Sequence, residues 1–256
     1  MQQKHWALVT GAARRLGREI SIALHQAGFN IFIHYNQSKT AADELANRLN
    51  HQRQNSAKTI HANFADEASL NAMLAKIRSK ANINLLINNA ACFKKTNLPT
   101  DSMRDWNHLF NTNVKSAFFI TAALTKSLAA TQGCVINIAD IHGLRPYKGY
   151  AIYSMTKASL IMLTQALAQE LAPKIRVNAI APSTVLWPEA DNALTAKQQT
   201  ALKKTFLTGD VGTTENVIET IFFLIKNRFV NGEVIKVDGG RSLNSFTPFS
   251  FANEKT

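Results

Sequence analysis

The sequence predicts an α/β protein in which a parallel sheet of about seven strands is doubly wound, with helices on both faces. Three features carry that expectation. Short apolar runs without strict alternation recur along the chain, as in strands buried on both sides. Segments of helical periodicity, ten or more residues long, separate these runs. A glycine-bearing turn, residues 10–17, joins the first run to the first helical segment.

Residues 6–10 form the first apolar run, which ends at Gly11. A helical pattern through Ile20, Ile22, Ala23, Leu24 and Ala27 follows and stops at Gly28. Residues 30–35 predict the second strand, 37–50 a helix and 57–61 the third strand. A helix near residues 69–79 precedes the fourth strand at 84–88. Residues 106–130 predict one long helix, 134–139 a fifth strand, and 151–171 a helix that Pro173 stops. A sixth strand at 176–180 is followed by a polar, helix-prone insertion at 187–208. A helix at 214–225 and a last strand at 233–237 complete the pattern. No linker, repeat or low-complexity tract interrupts it, so residues 1–256 read as a single domain. A helical insertion at about 185–208 is expected to cover the ligand site, and the tail at 241–256 has no assigned role.

With 256 residues, 46% of them hydrophobic, the chain can bury a sizeable core. Its net charge of +12 is spread out, and the only tight basic pairs are Arg14-Arg15, Lys94-Lys95 and Lys203-Lys204. Nucleic-acid binding would concentrate those charges on one element among aromatics. A basic surface that takes a small anionic ligand explains the charge better. No apolar run approaches the ~20 residues of a membrane span. Residues 1–5 lead straight into the first strand, so no signal peptide is expected. Cys92 and Cys134 lie far apart with no CxxC or Cys/His cluster, so neither a disulfide nor a metal site is expected. A reducing cytoplasm is the expected setting.

Gly11 and Gly17 stand where a strand turns into a helix, the position at which backbone amides can approach a dinucleotide pyrophosphate. They are six residues apart, and Arg15 takes the place of a middle glycine. The acid that would hold the ribose hydroxyls of NAD is missing, because the second strand runs out through His34, Tyr35, Asn36, Gln37, Ser38 and Lys39. Arg14, Ser38 and Lys39 would instead welcome a 2′-phosphate, which predicts NADP(H) rather than NAD(H). Small residues at Asn88-Asn89-Ala90-Ala91 would let the cofactor approach the end of the fourth strand. Tyr153 and Lys157 are four residues apart, hence on one helix face. An ammonium beside a phenol favours the phenolate, so the Tyr153 pKa is expected to fall towards working pH. Asn113 is expected to hold a water or carbonyl beside Lys157.

Thr10-Gly11…Gly17, Asn88-Asn89-Ala90, Asn113, Tyr153…Lys157, residues 176–182 and Asp238-Gly239-Gly240, in this order, resemble the short-chain dehydrogenase/reductase family. The resemblance runs from Ala7 to Gly240. It implies a Rossmann-type fold and a homotetramer or homodimer. It also implies that Tyr153 delivers a proton, that Lys157 lowers the Tyr153 pKa and holds the nicotinamide ribose, and that Asn113 completes a proton relay. Where most members carry Ser, thirteen residues before the tyrosine, this chain has Asp140. Asp140, the arginine-rich turn, His34-Tyr35, Phe93, the stretch at residues 181–189 and the closing residues 237–243 are similar to the pteridine reductase branch. That likeness implies NADPH-dependent reduction of a pterin, such as dihydromonapterin, dihydrobiopterin or dihydrofolate.

The branch implies cofactor contacts from Gly11, Arg14, Arg15, Leu16 and Gly17, and from His34, Tyr35, Asn36 and Ser38 after the second strand. Asn63, Phe64, Asn89, Ala90, Ala91, Tyr153, Lys157, Pro182, Ser183 and Val185 complete the cofactor set. It implies substrate contacts from Arg15, Ala91, Phe93, Asp140, Tyr153 and Leu186. Two positions depart from the trypanosomatid pattern: Ala91 replaces a ligand-contacting Ser, and Asn63 replaces an adenine-binding Asp.

Phe93 would stack on the flat pterin ring, and Arg15 would meet ring nitrogens or cofactor phosphates. Asp140 has two chemical roles open to it, orienting the Tyr153 hydroxyl or carrying the proton, and the expectation is a Tyr153–Asp140 couple. A third possibility is that it only caps its own turn. His142 reads as loop packing, and Cys92 as a pocket neighbour. Residues 185–207 are expected to select the pterin tail. Competing readings are an NADPH-dependent carbonyl reductase (acyl thioesters, sugars or steroids) and a cofactor-binding regulatory protein without turnover.

Overall fold

A computed structural model describes residues 5–98, 103–189 and 192–244. Seven parallel strands form one sheet: β1 (Trp6–Val9), β2 (Asn30–Tyr35), β3 (Ala57–His61), β4 (Ile83–Asn88), β5 (Cys134–Ile138), β6 (Arg176–Pro182) and β7 (Val234–Val237). Their order is β3-β2-β1-β4-β5-β6-β7, so the winding reverses between β1 and β4. Such a switch point opens a crevice at the strands' carboxyl ends, where ligands bind in doubly wound sheets.

The helices are α1 (Arg15–Gln26), α2 (Lys39–Gln52), α3 (Glu67–Arg78), α4 (Met103–Phe110), α5 (Ser116–Ala130), α6 (Ala151–Glu170), α7 (Ala196–Lys203) and α8 (Thr214–Lys226). Alternation along each strand feeds two cores. Ala7, Val9, Ile31, Ile33 and Ile87 meet Ile20, Leu24, Leu45, Val217 and Ile221 on the face covered by α1, α2 and α8. Leu8, Phe32, Leu86 and Val135 meet Met73, Ile77, Ile120, Leu124 and Leu167 on the face covered by α3, α5 and α6. Each such Leu or Ile, fully buried, contributes about 1.5–3 kcal/mol from its transfer out of water.

The elements expected from the sequence are present, with three corrections. The long helix expected at 106–130 is two helices joined by a π-helical turn at Asn111–Lys115. Asn113 lies in that turn, and its side chain binds the backbone of Cys92 and the Thr156 hydroxyl. Extra residues inserted into a helix in this way re-aim side chains at functional sites. Strand β6 runs on to Pro182, because Ala181 and Pro182 pair with Lys236 and Val237. In the insertion after β6, only Ala196–Lys203 among the described residues forms an α-helix, started by a capping box between Thr195 and Gln198. Of the tail, residues 245–256 lie outside the described residues. No helix among the described residues is long and apolar enough to cross a membrane.

Candidate active site

The turn from β1 into α1 is held by side chains beneath it. Gly11 has φ +61°, and a Cβ there would stand 3.0 Å from the Ala90 Cα. A Cβ on Gly17 would meet the Gly11 carbonyl oxygen at 2.2 Å, so only glycine lets the chain pass itself here. The Thr10 hydroxyl accepts from the amides of Asn89 and Ala90, 2.9 Å each. The Asn89 side chain donates back to the carbonyls of Thr10 and Gly11, at 2.9 and 3.1 Å. The N-terminus of α1 carries no side-chain cap and no acid in its first turn, which suits a phosphate. This is the cradle a dinucleotide requires.

His34 sits under the cradle. Its Nδ1 accepts from the Gly11 amide at 2.9 Å, and its Nε2 lies 3.1 Å from the Ala62 carbonyl, which fixes the tautomer with the proton on Nε2. Phe64 stacks on the imidazole, 4.3 Å between ring centroids. His34 and Phe64, expected among the cofactor contacts, are buried below the turn and shape it. The Asn89 side chain is likewise turned back onto the turn. Burial lowers the His34 pKa to about 4, opposed by the bond to Ala62 and assisted by the His61 charge. The unfolded imidazole therefore takes up a proton near pH 6.5, while the folded one does so only near pH 4. The stabilisation of about 3 kcal/mol linked to this gap is complete above pH 6.5 and lost progressively as pH falls towards 4. We expect urea-unfolding free energies to fall over that window and His34→Gln to flatten the slope. An unchanged slope in the variant would contradict this account.

Arg14 and Arg15 are not free. Glu189 pairs with Arg14 at 3.3 Å and Arg15 at 2.6 Å, and Arg15 also donates to the Trp187 carbonyl at 2.8 Å. These exposed pairs are weak, so an incoming phosphate can replace the carboxylate. Lys39, expected near a 2′-phosphate, pairs with Asp43 at 2.6 Å. Asn36 is exposed, and Tyr35 and Ser38 are half-exposed beside it. Asn63 accepts from the Ala65 amide at 3.0 Å. Leu16 and Val185 pack against the core, and Pro182 ends β6.

The chemistry-bearing side chains gather at the ends of β4, β5 and β6. Asp140 follows β5 in extended backbone and starts the short 3-10 turn Ile141–Gly143. Its Oδ1 accepts from the His142 amide at 2.8 Å, which is the capping role. Its Oδ2 accepts from the Tyr153 hydroxyl at 2.7 Å, so the carboxylate does both. A Cβ on Gly143 would stand 2.6 Å from the Lys157 carbonyl carbon, and this close approach seats the turn on α6. Lys157 is buried, donates to the Ile138 carbonyl at 2.9 Å, and has its Nζ 5.7 Å from the Tyr153 ring centroid. Asn113 accepts from the Cys92 amide at 2.7 Å and donates to the Cys92 carbonyl at 3.0 Å and to Thr156 at 2.9 Å. Its side chain thus ties the segment after β4 to α6 instead of reaching Lys157.

The electrostatics correct one expectation. The Tyr153 pKa is raised well above the usual phenol range, first by burial, then by the Asp140 charge and by the hydrogen bond to it. The ammonium does not win, because the carboxylate is in direct contact and the phenol is desolvated. Burial lowers Lys157 to about 8, opposed by Asp140. Tyr153 therefore keeps its proton at neutral pH and donates it to Asp140.

A cavity of about 450 Å³ opens over this group. Of the expected residues it is lined by Arg15, Phe93, Asp140, Tyr153, Ser183 and Leu186, but not by Ala91. Phe93 stacks on Tyr150 at 4.4 Å and meets Tyr153 edge-on at 4.8 Å. Tyr147, Tyr150, His142, Asn192 and Arg241 also line it and were not anticipated as site residues. Only the tyrosine spacing Tyr147, Tyr150, Tyr153, one face of a turn entering a helix, hinted at the first two.

A doubly wound sheet with a glycine cradle at its switch point and a buried Tyr-Lys pair defines a short-chain dehydrogenase/reductase. The chain belongs to that family: the family model described as enoyl-(acyl carrier protein) reductase matches residues 11–242. It is similar to the 3-oxoacyl-(acyl-carrier-protein) reductase FabG of Staphylococcus aureus, 31% identical over 94% of this chain and 99% of that one. It is also similar to pteridine reductase 1 of Leishmania tarentolae, 30% identical over 93% and 96%. Among solved structures, FolM alternative dihydrofolate reductase 1 from Brucella suis, in complex with NADP, matches with a TM-score of 0.88. Its identity is 29%, over 97% of this chain and 99% of that one.

Proposed function

We propose that this oxidoreductase uses NADPH to reduce the C=N bond of a dihydropterin. The observation that carries the reading is the 2.7 Å bond from the Tyr153 hydroxyl to Asp140. Reduction of a ketone builds negative charge on an oxygen beside the phenol. A carboxylate about 5 Å from that charge would oppose it by about 3 kcal/mol at an effective dielectric of ~20. Reduction of C=N ends in a protonated nitrogen, and a nearby carboxylate favours the proton's arrival. The likeness to pteridine reductase 1 and to FolM supports this reading.

Bound NADPH supplies the hydride that goes to the carbon of the C=N bond. Gly11, Gly17 and the uncapped first turn of α1 would hold its pyrophosphate, with Leu16, Ala90 and Ala91 leaving it room. Arg14, Arg15, Asn36 and Ser38 would take its phosphates, with Tyr35 and Asn63 beside the adenosine. Lys157 would hold the nicotinamide ribose, and Pro182, Ser183 and Val185 would border the nicotinamide. Tyr153 and Asp140 pass one proton to the nitrogen as a unit and regain it from solvent. Lys157 stabilises the phenolate left behind. Asn113 holds the Cys92 backbone, and with it Phe93, against which the flat ring stacks for about 1 kcal/mol beyond its area.

A second reading, reduction of a 3-oxoacyl thioester, has the FabG relative in its favour at 31% identity, against 30% for pteridine reductase 1. One spectrophotometric panel separates them: oxidation of NADPH and of NADH with neutral dihydropterins, dihydrofolate and a 3-oxoacyl ester. We expect NADPH to be preferred and kcat/KM for a dihydropterin to exceed that for the ester at least ~10-fold. Preference for the ester would overturn the pterin assignment.

A further inference from the structure

The cavity beside Tyr153 is lined by one carboxylate, Asp140, and by three permanent cations, Arg15, Lys95 and Arg241. Asp140 is engaged by Tyr153 and His142, and Arg15 has its counter-ion in Glu189. Arg241 has no carboxylate within ion-pair distance among the described residues. It is nevertheless half-buried and rigidly aimed.

The turn before it is built to aim it. Gly239 and Gly240 both adopt left-handed backbone, φ 56° and 73°. The Asp238 carboxylate accepts from the amides of Gly240 at 3.1 Å and Ser242 at 2.8 Å. Arg145 grips the carbonyls of Ser242 and Asn244 at 3.1 and 2.7 Å. The Arg241 guanidinium is then fixed by neutral oxygens, with Nε donating to Thr205 and Nη1 to Ser183, 3.1 Å each. It lies 5.6 Å from the Phe206 ring centroid. Its Nη2 makes no hydrogen bond among the described residues. Asp140 and Asp238 act on this half-buried guanidinium only through longer-range attraction, so its free Nη2 stays open to the cavity, and its planar donors match carboxylate or phosphate oxygens.

We propose that Arg241 is the anion-recognition residue of this pocket, and that the preferred substrate is a pterin whose side arm carries a carboxylate or a phosphate. This rests on the pterin reading and adds to it the chemistry of the arm. Lys95, exposed at the same cavity, adds a diffuse positive potential.

The test compares wild type, Arg241→Gln and Arg241→Lys on three dihydropterins: one with a neutral polyol arm, one with a carboxylate arm (dihydrofolate) and one with a phosphate ester on its arm. Wild type is expected to favour an anionic arm, and the two anionic substrates report whether carboxylate or phosphate is the natural partner. Arg241→Gln is expected to lower the anionic-to-neutral ratio of kcat/KM at least ~10-fold, mainly through KM, with partial recovery in Arg241→Lys. An unchanged ratio, including equal losses on all three substrates, would overturn the proposal. A rise confined to the KM for NADPH would also overturn it, by assigning the guanidinium to the cofactor. Turnover of the neutral pterin without an anionic preference would sink this inference alone. No turnover of any dihydropterin would sink the pterin reading and this one together.

Discussion

Tyr153→Phe is expected to lose at least ~10²-fold in kcat with a dihydropterin, the usual size of a general-acid contribution, while NADPH still binds. The variant keeps the ring, and with it the edge-on contact to Phe93 at 4.8 Å and the position of α6. What disappears is the one hydroxyl whose proton burial and Asp140 hold in place. Asp140 remains anchored through the His142 amide, so its turn persists. Fluorescence titration with NADPH separates binding from chemistry. A residual rate within tenfold of wild type would mean that the proton reaches the substrate from another group.

Lys157→Met is expected to cost a similar factor in turnover without destabilising the protein. The folded lysine loses its proton near pH 8 because it is buried, whereas the unfolded one keeps it up to about 10.5. Below pH 8 the native state therefore bears the expense of a buried ammonium, about 3 kcal/mol by linkage, and this is relieved as pH rises from 8 to 10.5. Methionine removes that net expense at neutral pH, which already includes the attraction to Asp140, and forfeits the bond to the Ile138 carbonyl, about 1 kcal/mol, and the contact with the Tyr153 ring. Its unfolding free energy at pH 7 should equal or exceed that of wild type. In the wild type the same titration predicts falling kcat as pH rises through about 8, since the cation that stabilises the phenolate is lost. A stable, flat rate to pH 9.5 would contradict this role.

Much of the fold was legible because parallel strands buried on both faces are written as unbroken apolar runs, as at Ile31 to Ile33 or Leu85 to Ile87. The glycine cradle was legible because a Cβ at Gly17 has nowhere to go. The π-helical turn at Asn113 was not, since it goes with bonds between that side chain and the Cys92 backbone, a partner distant in sequence. The direction of the Tyr153 shift is hidden in the sequence for a related reason. The Lys157 spacing is visible in the chain, but the burial and the carboxylate contact that outweigh it appear only when β5 and α6 are brought together. Glu189 and Arg241 reach the site from the segments after β6 and β7, where sequence patterns fix no direction.

On the proposed reading, the carboxylate facing the phenol turns a fold shared with carbonyl reductases towards reduction of C=N bonds. Asp140→Ser keeps a side-chain oxygen able to accept from the His142 amide and removes the charge. The decisive quantity is kcat/KM for a dihydropterin divided by kcat/KM for a 3-oxoacyl ester, measured with NADPH in wild type and in this variant. We predict that the ratio falls at least ~10-fold through loss of pterin turnover, with ester reduction no worse than before. A ratio that stays the same or rises would contradict the account.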